Sequence, residues 1–132
     1  MNPTVTLWVA LGSMLGSLCR YAIQQGMPAE AGGLIPLGTL SVNVLGSLII
    51  GWFAALTLPQ QHPMAALHRR QFVMTGFCGG FTTFSIFSLE TLQLIEAGAW
   101  VQAWANLGLN GTLALGAVAS GFYLGRWQSK TP

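Results

Sequence analysis

Thr39, Asn43 and Ser47 recur at every fourth position within an otherwise apolar stretch. On a helix this spacing gathers them on one face as a single polar stripe. Asn43 matters most, because its amide carries two donors and an acceptor that all need partners in an apolar setting. Two uses fit such a stripe: hydrogen bonding to a neighbouring helix, or lining a path for an ion. Spacing alone leaves both open.

The stretch from Gly79 to Phe87 is more specific. It reads Gly-Gly-Phe-Thr-Thr-Phe-Ser-Ile-Phe. Paired glycines followed by paired threonines are poor helix formers, so a helix break is predicted near Gly79 to Thr83. A break frees backbone carbonyls and amides, which membranes tolerate only where protein, water or an ion satisfies them. Unwound carbonyls at membrane depth commonly hold sodium, whereas a glycine-hinged kink can also be satisfied by the threonine hydroxyls. Beyond the break, Phe84 and Phe87 share a helical face, with Ser85 and Ser88 on neighbouring faces. Aromatic rings have a negative face and a positive edge, so ring edges can meet an anion directly. With Asn43 and the hydroxyls they would frame a narrow path for a small anion. Packing in lipid or between helices would use the same phenylalanines.

Three further groups stand out. Glu90 follows Phe87 by one helical turn, and an acid within a membrane points to proton coupling or to hydrogen bonding at a pore mouth. Arg20 lies near the end of the first apolar stretch, where it can counter a charge or snorkel to the headgroups. Asn106 and Asn110 share one helical face, and either extend the polar track or bridge helices.

The elements that must position these residues are membrane helices. Of the 132 residues, 52% are hydrophobic and 6% charged, against roughly 25% charged in soluble domains. Four apolar stretches run from about 4–23, 37–56, 72–95 and 100–124. Each is close to the ~20 residues a helix needs to cross ~30 Å of hydrocarbon. The linkers Gly26 to Pro36 and Pro59 to Arg70, and the turn at Ala97-Gly98, read as interfacial loops. The reading is therefore one all-α, four-helix membrane domain over 1–132, with a broken third helix. A soluble bundle is excluded because the fourth stretch carries no charge from Ala97 to Gly125 and so has no charged outer face. The first stretch lacks a basic leader, which argues against a cleaved signal peptide.

Other classes fall away. The net charge is +2 and no basic run extends beyond Arg69-Arg70, so nucleic acid is not a partner. Cys19 and Cys78 read as reduced, buried thiols, and His62 and His68 as solvated loop residues. No catalytic triad, metal cluster or phosphate loop is present in the sequence, so an enzyme is not expected. If all four stretches cross, Arg69, Arg70, Arg126 and Lys130 fall on the side of the N-terminus and Arg20 toward the other. That bias would place both termini in the cytoplasm. Small residues at Gly12 and Gly16, at Gly121 and Gly125, and at Gly108, Gly111 and Gly116 predict close helix contacts. Four short helices enclose little volume, so an ion path calls for a second subunit.

Three segments, in order, resemble the Fluc/CrcB family of fluoride channels: Gly12 to Tyr21, Gly38 to Gly46, and Gly79 to Phe87. The resemblance covers nearly the whole chain. It implies a dual-topology homodimer whose subunits pack antiparallel in a bacterial plasma membrane. It implies two pores, each lined by both subunits, through which fluoride leaves the cytoplasm passively, lowering its toxicity. It implies a structural sodium ion on the dimer axis, held by the carbonyls of Gly79 and Thr82. By motif position, Asn43 matches the pore asparagine, Phe84 and Phe87 the pore phenylalanines, and Ser85 a hydroxyl donor. Glu90 matches an acidic position after them. Thr39 and Ser47 extend the path along the stripe. Two features depart from the family pattern. Ile86 stands where threonine is common, and the charge bias sits awkwardly with dual topology. A small drug/proton antiporter would need an acid in the first helix, where this chain has only Arg20; a structural membrane subunit is the other alternative.

Overall fold

The computed structural model describes residues 3–27, 35–58 and 66–129. His62, Lys130 and most of the first two linkers lie outside the described residues. Among the described residues, four spans are long and apolar enough to cross a membrane. The first is α1 (Pro3–Gly26) and the second α2 (Leu37–Leu56). The third comprises α3 (Leu67–Arg70), a π-helical stretch (Gln71–Cys78), α4 (Gly79–Phe81) and, past a break, α5 (Phe84–Glu96). The fourth is α6 (Trp100–Gln128). With the apolar composition, these spans make the chain a multi-pass integral membrane protein.

Helix ends differ modestly from the sequence-based bounds. The third span starts at Leu67 rather than near residue 72, because His68, Arg69 and Arg70 continue the helix into the polar interface. The last span runs on to Gln128, whose Oε1 accepts the Trp52 indole N–H at 2.7 Å. The turn at Ala97-Gly98 is a glycine-terminated helix cap. Gly98 has φ +71, its N–H bonds Ile95 O at 2.9 Å, and the Ala99 N–H bonds Leu94 O at 2.8 Å. Only glycine takes that conformation without cost.

The spans associate as two pairs: α2 lies along α6, and α1 lies along the first half of the third span. Both pairs depend on glycine at close backbone approach. A Cβ at Gly12 or Gly16 would strike the Phe72 or Phe77 carbonyl, and one at Gly121 would strike that of Leu48. Close approach by small residues is how membrane helices gain packing without a hydrophobic drive. Gly108, Gly111 and Gly116, predicted to make such contacts, instead face open space in this chain. On α1, Leu7, Leu11, Leu15 and Leu18 stand exposed as an apolar ridge. Both thiols are free, with Cys78 buried and Cys19 half-buried.

Candidate functional site

The break predicted near Gly79 to Thr83 falls on the two threonines of that range. Gly79 and Gly80 remain helical, while Thr82 (φ −82, ψ 162) and Thr83 (φ −149, ψ 122) are extended. One reason is local. Thr83 caps α5, its Oγ1 accepting the Ile86 N–H at 3.1 Å, as N-cap threonines do. Gly46 of α2 lies directly beneath Thr82, with no room for a Cβ.

Asn43 stabilises the extended backbone. Its Oδ1 accepts the Thr83 N–H at 2.8 Å and its Nδ2 donates to Thr83 O at 3.1 Å. The second Nδ2 hydrogen goes to Asn110 Oδ1 at 3.2 Å. Every polar atom of this amide is therefore engaged within the chain.

This arrangement releases the carbonyls at the end of α4 from the helical ladder. In a continuous α-helix, Gly79 O would accept from the Thr83 N–H and Thr82 O from the Ile86 N–H. Asn43 takes the first donor and the Thr83 hydroxyl takes the second. Gly79 and Thr82, the residues that the family resemblance marks for carbonyl ligation, are thus among the carbonyl groups that the break frees from the helical ladder, together with Phe81 and with Gly80, whose O accepts the Ser17 hydroxyl at 3.4 Å. Gly79 and Thr82 both line the central cavity. The Thr82 hydroxyl turns away, donating to Cys78 O at 2.9 Å.

The cavity encloses about 580 Å³ between α2, the third span and α6. Its polar lining includes Asn43, Ser47, Thr83 and Asn110, and its aromatic lining Phe84 and Phe87. The two rings lie 5.7 Å apart, tilted 52° to each other. Phe84 is 80% exposed, an aromatic left uncovered by its own chain. Thr83 and Phe84, at the N-terminus of α5, line the cavity, so the positive end of the helix dipole lies beside it.

Other sequence-marked residues lie around this centre. Ser85 is exposed outside the cavity, with its hydroxyl 3.3 Å from that of Thr83. Thr39 is buried and donates to Glu90 Oε1 at 2.8 Å. Gln24 Nε2 in turn donates to Thr39 Oγ1 at 3.5 Å. Glu90 Oε2 is buried and lacks a partner among the described residues. Arg20 is half-buried near the far end of α1. The stripe on α2 therefore faces α5 at two levels, through Thr39 to Glu90 and through Asn43 to Thr83, and reaches the cavity at Ser47.

Sequence reasoning left Asn106 and Asn110 open and did not single out Thr91. The structure joins all three. Asn110 Nδ2 donates to Asn106 Oδ1 at 2.9 Å and to Asn106 O at 3.2 Å. Asn106 Nδ2 donates to Thr91 Oγ1 at 2.9 Å, and Thr91 Oγ1 to Phe87 O at 2.7 Å. The four-residue spacing of the asparagines carried a signal for their bond to each other, but Asn43 and Thr91, their further partners, lie on other helices.

Comparison with known proteins places the chain. Residues 7–122 match the family model described as CrcB-like protein, Camphor Resistance (CrcB). A protein of Opitutus terrae named fluoride-specific ion channel FluC is 49% identical over 113 residues, 86% of this chain and 84% of its own length. One of Gluconobacter oxydans with the same name is 46% identical, over 92% of this chain and 84% of its own. Another, of Nitrobacter winogradskyi, is 43% identical over 96% of this chain and 98% of its own. With a family model spanning most of its length and relatives this similar from end to end, the chain belongs to the CrcB family.

Proposed function

We infer that this chain is a fluoride channel, conducting the ion passively out of the bacterial cytoplasm across the plasma membrane. One observation carries the reading: the paired rings of Phe84 and Phe87 stand at the positive end of α5, on a cavity that also holds Ser47 and Thr83. Its curated relatives carry the name fluoride-specific ion channel.

Fluoride keeps its water tightly, so a conducting site must replace that water with close donors yet release the ion. Ring edges offer weak positive charge without binding too firmly. The Ser47 hydroxyl and the first N–H groups of α5 supply stronger donors. Thr39, Ser85 and Glu90 would continue the path on either side. In weakly acidic surroundings the neutral acid enters the cell and ionises, and an open leak for the anion lowers its level.

One chain leaves this site unfinished. Phe84 is exposed, and Gly108, Gly111 and Gly116 have nothing beyond them within 4 Å. A second copy, packed antiparallel, would cover these surfaces and close the path. The same pairing suits sodium. Two of the released carbonyls in each chain, Gly79 O and Thr82 O, would become four hard oxygen ligands when two copies meet. The ion would supply charge compensation for carbonyls that have no helical donor. No partner other than fluoride, sodium, lipid and a second copy is required.

Growth of a bacterial strain lacking its own fluoride exporter tests the cellular role. Expression of this chain is expected to restore growth on fluoride. Failure to restore it, with the protein present in the membrane, would remove the export reading.

A further inference from the structure

The geometry points to a positioning device for the aromatic pair: a directional hydrogen-bond brace through Asn43, Asn110, Asn106 and Thr91 that fixes the start of α5, and Phe84 and Phe87 with it. The proposal rests on the fluoride-channel reading for its functional consequence, and on the hydrogen bonds alone for its structure.

The direction of the brace is forced from one end. The Thr83 N–H can only donate, so Asn43 must present Oδ1 to it at 2.8 Å. Asn43 Nδ2 then faces Asn110, which must present its own Oδ1 at 3.2 Å. That turns Asn110 Nδ2 toward Asn106, whose Oδ1 accepts at 2.9 Å. Asn106 Nδ2 is left to donate to Thr91 Oγ1 at 2.9 Å. The Thr91 hydroxyl, now an acceptor, sends its single hydrogen to Phe87 O at 2.7 Å. Each group has one orientation compatible with its neighbours, and bonds aligned head to tail polarise one another.

The two ends of the brace enclose the aromatic pair. One grips Thr83, the residue before Phe84, and the other grips the backbone of Phe87 itself. The route passes from α2 through α6 to α5, so it also ties α5 to the α2–α6 pair. Asn106 is fully buried and Asn110 6% exposed, and both are polar in a helix surrounded by lipid. Asn43 and Asn110 spend both their amide hydrogens within the brace. They therefore hold the site's shape and have no free N–H to offer a passing anion. Asn106, Asn110 and Thr91 act on conduction through α5, as positioning residues.

Thr91 gives the cleanest test, because it does not line the cavity. Thr91→Val keeps the shape and removes the hydroxyl, while Thr91→Ser keeps the hydroxyl. Fluoride efflux from liposomes is expected to fall about ten-fold or more in Thr91→Val and to stay near wild type in Thr91→Ser. Asn106→Leu should cost about as much, and the double variant Thr91→Val/Asn106→Leu no more than either alone, because the groups act as one unit. The double variant also leaves no orphaned partner between them, so it serves if a single variant fails to fold. Multiplicative losses, or full flux in Thr91→Val, would overturn the brace. A 4-fluorophenylalanine placed at position 87 reads the same geometry without flux. Its ¹⁹F resonance should shift or split in Thr91→Val and not in Thr91→Ser. An unmoved resonance in both overturns the brace even in a conducting protein. A shift in Thr91→Val alone, in a protein that conducts no fluoride, upholds the brace and refutes the channel reading.

Discussion

Asn43 holds Thr83 through both of its polar atoms, accepting its N–H at 2.8 Å and donating to its carbonyl at 3.1 Å. A side-chain amide here replaces the strand partner that an extended residue would otherwise need. It makes a helix break affordable inside a membrane, where unpaired backbone groups cost several kcal/mol each.

Asn43→Asp should therefore stop conduction and weaken the fold. A carboxylate still accepts the Thr83 N–H, but it sets oxygen against Thr83 O and Asn110 Oδ1 and adds negative charge beside the path. Loss of two donors to buried acceptors costs on the order of 1–3 kcal/mol each. Efflux assays and denaturant unfolding in detergent check the two effects separately; unchanged flux would remove Asn43 from the site.

Phe84→Ile and Phe87→Ile should nearly abolish flux while leaving the assembly intact. Phe84 is 80% exposed in the single chain, so its replacement costs that chain little. Substitutions at exposed positions usually stay within about 0.5 kcal/mol. Elution volume and efflux measured on the same preparation check this, and wild-type flux in both variants would refute the ring-edge contact.

Gly16→Leu and Gly111→Leu should fail differently. A side chain at Gly16 meets the Phe77 carbonyl, whereas Gly111 has nothing within 4 Å. Overpacking at Gly16 should destabilise the chain by about 1–3 kcal/mol or more. Gly111→Leu should leave the chain folded but shift it from dimer to monomer. Helical content and single-molecule subunit counting distinguish these outcomes; an intact Gly111→Leu dimer would place the second copy elsewhere.

Sodium should be needed for assembly or conduction, and the need should survive Thr82→Val. The proposed ligand is the Thr82 carbonyl, and the hydroxyl is already engaged with Cys78 O at 2.9 Å. Replacing sodium by a bulky organic cation should lower flux in both proteins, and restoring it should recover flux. Equal flux without sodium would exclude the ion as a structural element.

The four spans were legible because lipid leaves only a long apolar helix or a closed barrel as solutions. The break was legible as well, within Gly79 to Thr83, but not which residues of that range leave the helix: Gly79 and Gly80 stay helical, while Thr82 and Thr83 do not. What decides is the grip of Asn43 and the Thr83 cap, and the first is a contact between residues 40 positions apart. Such contacts leave no local pattern. Asn106 and Asn110 show the same limit: their shared face was visible, but their connection to Asn43 and Thr91 depends on how α6 meets α2 and α5. The π-helical stretch Gln71–Cys78 had no recognisable signature in the residues.

Fluoride release from liposomes holding the purified protein, read by a fluoride-selective electrode beside a matched chloride experiment, tests the central claim most directly. Rapid fluoride release with negligible chloride release is the expected result. No fluoride release from folded, dimeric protein, or chloride release at a similar rate, would contradict it and return Phe84 and Phe87 to helix packing.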